Sequence, residues 1–239
     1  MRVFGLTLIL IDCDADYAAH WNRWYDLDHI PEFLALPGVV AAHRYLASPE
    51  LLDARPPSAI AELGPGLARY CTLVMVGPDA AGAAIGREGM AAVHNRLIGI
   101  EGRMPDWSRI TPRYIDGFDL VAATAGSGMP VSVDALAHLA HRGVLIELRS
   151  AEDADRLSCE SGVLAHLEFT ISALPGVETP WDEEPANGSA RPDRLDLYLL
   201  DRDPAEIARS STARLIPAPD ASVVFQGLFR TIDALRYEN

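Results

Sequence analysis

Cysteine is scarce: Cys13, Cys71 and Cys159 are the only three in 239 residues. They lie far apart, are odd in number and form no CxxC pair. A disulfide framework and a zinc knuckle are therefore excluded, and a reducing, cytoplasmic setting is expected. Basic charge is also short, with 20 Lys and Arg against 34 Asp and Glu, a formal net charge of -14. Without a basic face to neutralise phosphates, nucleic acid and anionic membrane surfaces are excluded as partners. Apolar runs long enough to span a bilayer are absent. The longest near the start, Val3 to Ile11, is too short, runs straight into Asp12, Asp14 and Asp16, and has no small-residue cleavage site. It reads as a buried strand, not a signal peptide. No Gly-rich phosphate loop, GxSxG elbow or dinucleotide fingerprint occurs, since Gly82, Gly86 and Gly89 are wrongly spaced.

What is present is apolar bulk, 49% of residues, enough for a core in each half. Residues 3–11 predict strand one, and Asp14 or Asp16 can cap a helix running to about Asp28 or beyond. Leu36-Pro37-Gly38 ends the next segment, and Val39 to Ala47 reads as strand two. Ser48 to Pro65, rich in proline, reads as an exposed loop. Arg69 to Val76 is strand three, Ala80 to about Ile100 a helix, and Trp107 to Phe118 strand four. The order β-α-β-β-α-β is that of a ferredoxin-like unit.

A repeat follows. Residues 122–142, beginning with the small and Gly-rich AATAGSGMP, read as a linker. Gly143 to Arg149 is then a strand, Ala151 to about Ala173 a helix, and Leu174-Pro175-Gly176-Val177 echoes Leu36-Pro37-Gly38-Val39 at an offset of 138. Arg194 to Leu200 is a strand, Asp203-Pro204 opens a helix, and Val223 to Leu235 closes the unit. The fold class expected is α+β: two fused ferredoxin-like units, 1–121 and 143–239, whose antiparallel sheets pack together as an α+β barrel. Each sheet carries helices on one face only, so its other face needs cover that the second copy supplies. The chain would then be a monomer with an internal pseudo-dimer, open to further homodimerisation.

The richest segment is Trp21 to Tyr45. On a helix, Trp21, Trp24, Tyr25, Asp28, His29 and Glu32 fall three and four residues apart and form one stripe. His29 is the candidate acid–base residue, with Asp28 or Glu32 to hold one tautomer. Tyr25 is a candidate donor to a developing oxyanion. Pro31 would disrupt the helix beside His29. Strand alternation sends Arg44 to one sheet face and His43 and Tyr45 to the other. Arg44 would orient a substrate oxygen or pair with Asp26 or Asp28. Trp21 and Trp24 would line an aromatic pocket or anchor the core, and His94 on the later helix would face the same cavity. The competing reading of His29 is a structural one, with the ring bonded to a backbone carbonyl at the kink. A metal is not expected, because the segment has no HxH or HxxxH pair.

The run Trp24-Tyr25-Asp26-Leu27-Asp28-His29-Ile30-Pro31 resembles the EthD-like branch of the dimeric α+β barrel superfamily: an aromatic pair, three residues, then His-x-Pro, followed by Pro-Gly and a strand. The resemblance is specific over residues 3–47. At the repeat's offset, Leu167 stands for His29 and Gly162 for Trp24, which implies one working site per chain. The resemblance implies a pocket between sheet and helices, and a cofactor-free lyase or isomerase, dehydratase- or cyclase-like, acting on a small hydrophobic aromatic or polyketide-like compound. Alternatives are a cofactor-independent monooxygenase and a non-catalytic binder of a hydrophobic ligand.

Overall fold

The computed structural model describes residues 2–78, 104–126, 131–150, 162–171, 192–209 and 222–232, with 93, 95, 97 and 129 individually. Among them, eight strands close into one barrel: β1 (Gly5–Cys13), β2 (Val39–Leu46), β3 (Tyr70–Val76), β4 (Ile110–Ala125), β5 (Gly143–Arg149), β6 (Val163–Ile171), β7 (Arg194–Leu200) and β8 (Val223–Thr231). Their spatial order is β1-β3-β2-β8-β5-β7-β6-β4, and every pairing is antiparallel. Each half therefore has the same internal order, β4-β1-β3-β2 and β8-β5-β7-β6, that of a ferredoxin-like sheet. Two seams join the halves. β4 meets β6 along seven register pairs, whereas β2 meets β8 only at Tyr45↔Thr231 and Leu46↔Arg230.

Alternation along each strand builds two layers. Leu6, Leu8, Leu10, Leu73 and Met75 join Ile146, Leu148, Leu195, Leu197 and Phe169 in one core, the barrel interior shared by both halves. The alternate residues Ile9, Ile11, Tyr70 and Val74 pack outward against the aromatic helix of the first half. That helix comprises α1 (Ala18–Trp24), a π-helical turn (Tyr25–His29) and α2 (Ile30–Leu34). Gly38, at φ 85°, turns the chain into β2 in a conformation costly for any side-chain-bearing residue.

Several expectations change in three dimensions. Ser48 to Pro65 is not simply an exposed loop. It holds α3 (Pro49–Asp53) and a 3-10 turn (Ala61–Leu63), and Leu51, Ile60 and Leu63 are buried. It clasps the other half: Ser58 Oγ donates to Val224 O (3.0 Å), and the Arg55 guanidinium lies 4.6 Å from the Phe229 ring centre. β4 continues past Phe118 to Ala125, because pairing with β6 extends it into the segment read as linker. Residues 163–171, expected within a helix from 151 to 173, form β6. VLAHLEFTI satisfies helical spacing, but it also alternates, with Val163, Ala165, Leu167 and Phe169 against His166, Glu168 and Thr170. Pairing on both sides selected the strand.

β6 thus corresponds to β2, with the same bulge (Val39/Ala41 and Val163/Ala165). The offset of 138 holds for β1 and β5 but becomes 124 for β2 and β6. Leu167 is the counterpart of His43, not of His29. Asp203-Pro204 does open a helix, α4 (Pro204–Arg209), where Asp203 Oδ1 accepts from Ala205 N–H at 2.9 Å. Residues 93, 95 and 97 are helical. His94 and the repeat of Pro-Gly at 175–176 lie outside the described residues.

The pseudo-repeat is marked by a pair of glycines. A Cβ on Gly5 would lie 2.6 Å from Phe118 O, and one on Gly143 would lie 2.3 Å from Phe229 O, so the first and last strands of each half meet at backbone contact. Gly5→Ala and Gly143→Ala should each destabilise the chain by roughly 1–3 kcal/mol, with Gly143→Ala the worse. Urea denaturation of both variants checks this, and equal stability to the parent would refute it.

Candidate functional site

The first half's outer sheet face and the helix across it enclose a continuous aromatic cluster. Trp21, Trp24, Tyr25, His29 and Phe33 are each less than 5% exposed. His29 sits at its centre. Its ring stacks on Trp24 (centroids 4.6 Å apart, 21° between planes) and meets the edges of Tyr25 and Phe33 at 4.7 Å each. Trp21 stacks on Trp24 at 5.2 Å, and Trp107 closes the cluster edge-on against both.

The π-helical turn makes this stack. Residues five apart on an α-helix diverge by ~140°, so Trp24 and His29 would face apart. Widening the turn at Tyr25–His29 brings them face to face while Tyr25 stays at His29's edge. Pro31 accounts for the widening. It has no N–H to donate, and its ring would strike the carbonyl one α-turn back. The helix resumes beyond it, with Ala35 N–H donating to Pro31 O.

Arg44 reaches this cluster from β2. Its guanidinium lies 4.3 Å from the Tyr25 ring centre. Its donors are committed: Nη1 to Asp26 Oδ1 (2.5 Å) and Asn22 O (3.3 Å), Nη2 to Asn22 Oδ1 (2.6 Å). Of the two carboxylates that sequence offered, Asp26 is the partner. Tyr25's hydroxyl is held by Thr72 on β3. Burial pushes its pKa up, opposed by that hydrogen bond and by Arg44. Tyr25 and Arg44 are therefore fastened to the scaffold beside His29. Asp28 and Glu32 are half-buried on the same helix. Sequence reasoning missed Asn22 and Trp107. Asn22 follows Trp21 in the stripe segment, and a buried amide there was the available signal.

One polar atom in the cluster stands out. The Trp21 indole N–H is buried with no hydrogen-bond partner, a state that costs about 1–3 kcal/mol. A cleft of about 260 Å³ opens nearby at the weak β2–β8 seam, lined by Asp26, Ile30, His43, Arg44, Thr231 and Ile232. On the barrel side of β2, His43 Nε2 bonds Ala137 O (2.8 Å), and Tyr45 Oη bonds His141 Nε2 (2.8 Å). His141 Nδ1 lies 2.7 Å from Leu139 O, which can only accept. Nδ1 therefore carries the proton, and neutral Nε2 accepts from the Tyr45 hydroxyl.

Neither thiol among the described residues, Cys13 or Cys71, is an activated nucleophile. Burial pushes Cys13 up to about 11 and Cys71 higher still. Among the described residues, no group of His, Cys, Asp and Glu is arranged to hold a metal, and no helix is long and apolar enough to cross a membrane.

Two outcomes follow. Asp26→Ala strands a guanidinium that is 6% exposed and should cost about 3 kcal/mol in urea denaturation. Adding Arg44→Met should recover most of that loss. Burial also holds His141 below its ordinary 6.5. The unfolded chain takes up that proton first, so this contribution to stability is complete above about pH 6.5 and declines below it until folded His141 is itself protonated. Denaturation midpoints across that window should show the step, and His141→Gln should flatten it.

No protein-family model matches the chain, and no curated protein matches it. Solved structures do. An anthrone oxidase-like protein aligns at 8% identity with a TM-score of 0.49, covering 98% of this chain and 92% of its own. A candidate chlorite dismutase aligns at 12% identity and 0.48, covering 98% and 96%. A chlorite dismutase variant from Candidatus Nitrospira defluvii aligns at 8% and 0.48, covering 98% and 94%.

Proposed function

We propose that the chain is an enzyme of EthD-like type whose first half acts by acid–base chemistry at His29 on a small, apolar, oxygenated compound. The observation that carries this reading is the unsatisfied Trp21 indole N–H inside the aromatic cluster. Folding tolerates such a donor at a cost, and a substrate carbonyl or phenol oxygen would satisfy it. The surrounding rings suit an aromatic substrate. The Trp24-Tyr25 to His29-Ile30-Pro31 motif and its π-helical turn support the same reading, because such turns recur at functional sites.

In the chemistry proposed, His29 takes a proton from the carbon next to the substrate carbonyl. The oxygen that gains negative charge accepts from Trp21 N–H. Protonated His29 then returns the proton to a departing hydroxyl, expelling water, or to another carbon, giving an isomer. Tyr25 and Arg44 act as positioning residues, because Thr72, Asp26 and Asn22 already hold their polar groups.

The test is a panel of small aromatic hydroxyketones and phenols, followed by absorbance and by an oxygen electrode. His29→Gln should abolish turnover with folding retained, and Trp21→Phe should raise KM about tenfold or more. Turnover unaffected by His29→Gln would overturn the assignment. Oxygen uptake in step with turnover would move the reaction to cofactor-independent oxygenation.

A further inference from the structure

The barrel closes unevenly, and its shorter seam holds an opening. β2 meets β8 only at Tyr45↔Thr231 and Leu46↔Arg230, with a further bond from Ile232 N–H to Arg44 O at 3.3 Å. Ala42 and His43 lie beyond that bond and line the cleft of about 260 Å³. The counterpart seam in the pseudo-repeat, β6 with β4, is paired along seven positions. There the counterpart of Ala42 is His166, a larger side chain whose Nε2 lies 2.8 Å from Asp196 Oδ1. Short pairing and a small residue thus coincide at the β2–β8 seam.

Most polar side chains around the cleft are engaged elsewhere. Tyr45 Oη donates to His141 Nε2 (2.8 Å), and Thr231 Oγ1 donates to Arg142 O (3.2 Å). Arg44 Nη1 donates to Asp26 Oδ1 (2.5 Å) and Nη2 to Asn22 Oδ1 (2.6 Å). His43 differs. Its Nε2 lies 2.8 Å from Ala137 O, which can only accept, so Nε2 carries a proton whatever the charge of the ring. Nδ1 is then the ring's remaining hydrogen-bonding atom, on a half-buried side chain that lines the cleft. The Ala137 bond and the edge contact with His141, at 5.7 Å between centroids, hold the imidazole in place before any ligand arrives.

We infer that this cleft is a second ligand site, in which His43 Nδ1 binds the hydroxyl of a small phenol. A hydroxyl suits either form of His43: it donates to the lone pair of a neutral ring and accepts from the Nδ1–H of a charged one. Ile30, Ala42 and Ile232 supply apolar walls for the phenol ring. The volume falls below the roughly 300 Å³ at which pockets for drug-sized ligands begin, which limits the occupant to about one ring. Asp26 on the lining opposes a carboxylate, and the Arg44 charge beside it is already paired. The site uses neither His29 nor Trp21, so it stands apart from the acid–base reading.

The test is nitrogen-edited imidazole NMR on the full chain, titrated separately with phenol, toluene and benzoate. The His43 signals are identified by their through-space contacts with Tyr45 and His141. Phenol should shift His43 Nδ1 saturably and bind about tenfold or more tighter than toluene, which has the same ring and no hydroxyl. Benzoate should bind more weakly than phenol. The Nδ1 chemical shift itself tells whether a lone pair or a proton meets the ligand. In His43→Gln the amide nitrogen can take the place of Nε2 against Ala137 O, with nothing at Nδ1, so phenol affinity should fall about tenfold. Three results would overturn the site: no saturable shift at His43, toluene or benzoate binding as well as phenol, or an unchanged affinity in His43→Gln. Phenol that moves the His29 signals and leaves His43 still would also overturn it, by placing the ligand in the aromatic cluster. The ligand series on the parent chain decides the matter even if the variant fails to fold.

Discussion

A four-stranded sheet with helices on one side has a second apolar face that nothing in its own unit covers, and everything else follows from covering it. Here Leu6, Leu8, Leu10 and Leu73 of one half meet Ile146, Leu148, Leu195 and Leu197 of the other, and the sheets join at both edges into a barrel. Closure removes the exposed strand edges that a lone sheet would present. It also frees the two outer faces to diverge, because neither has to supply the shared core.

Divergence is what separates the halves. One outer face buries a helix bearing Trp21, Trp24, Tyr25 and His29. The other buries an Arg149, Asp196 and His166 network at the same register positions. The seams differ as well. β4 and β6 are bound along most of β6, while β2 and β8 touch at two positions, and the cleft lined by Asp26 and Arg44 lies at that shorter seam. The barrel thus has one long joint and one short joint with a cleft beside it.

Much of this was legible in sequence. The β-α-β-β-α-β order and its repeat predicted two ferredoxin-like sheets, and their unsupported faces predicted the barrel. Arg44 opposite His43 and Tyr45 followed from strand alternation, and the contacts of all three agree. Pro31 announced a disturbed helix. The misses share a cause. Residues 163–171 fit two periodicities, and only partners on both sides chose one. The segment 48–65 looks like a loop locally because its apolar residues, Leu51, Ile60 and Leu63, are sparse. Their cover includes residues of the other half, far off in the chain.

The sequence by itself determined the four strands of the first half, three of the four in the second and a dense ionisable and aromatic segment, since these depend on composition and on spacing along one element. Tertiary structure decided which groups meet. It gave Arg44 to Asp26 and Asn22, set His29 against Trp24 through a π-helical turn, and assembled Glu147, His166 and Asp196 from three separate strands. Those outcomes turn on strand register and on distances of a few ångströms between residues remote in the chain. No local pattern encodes them, because side-chain hydrogen bonds and ring stacking are short-ranged while the residues they join are brought together only by packing the whole barrel.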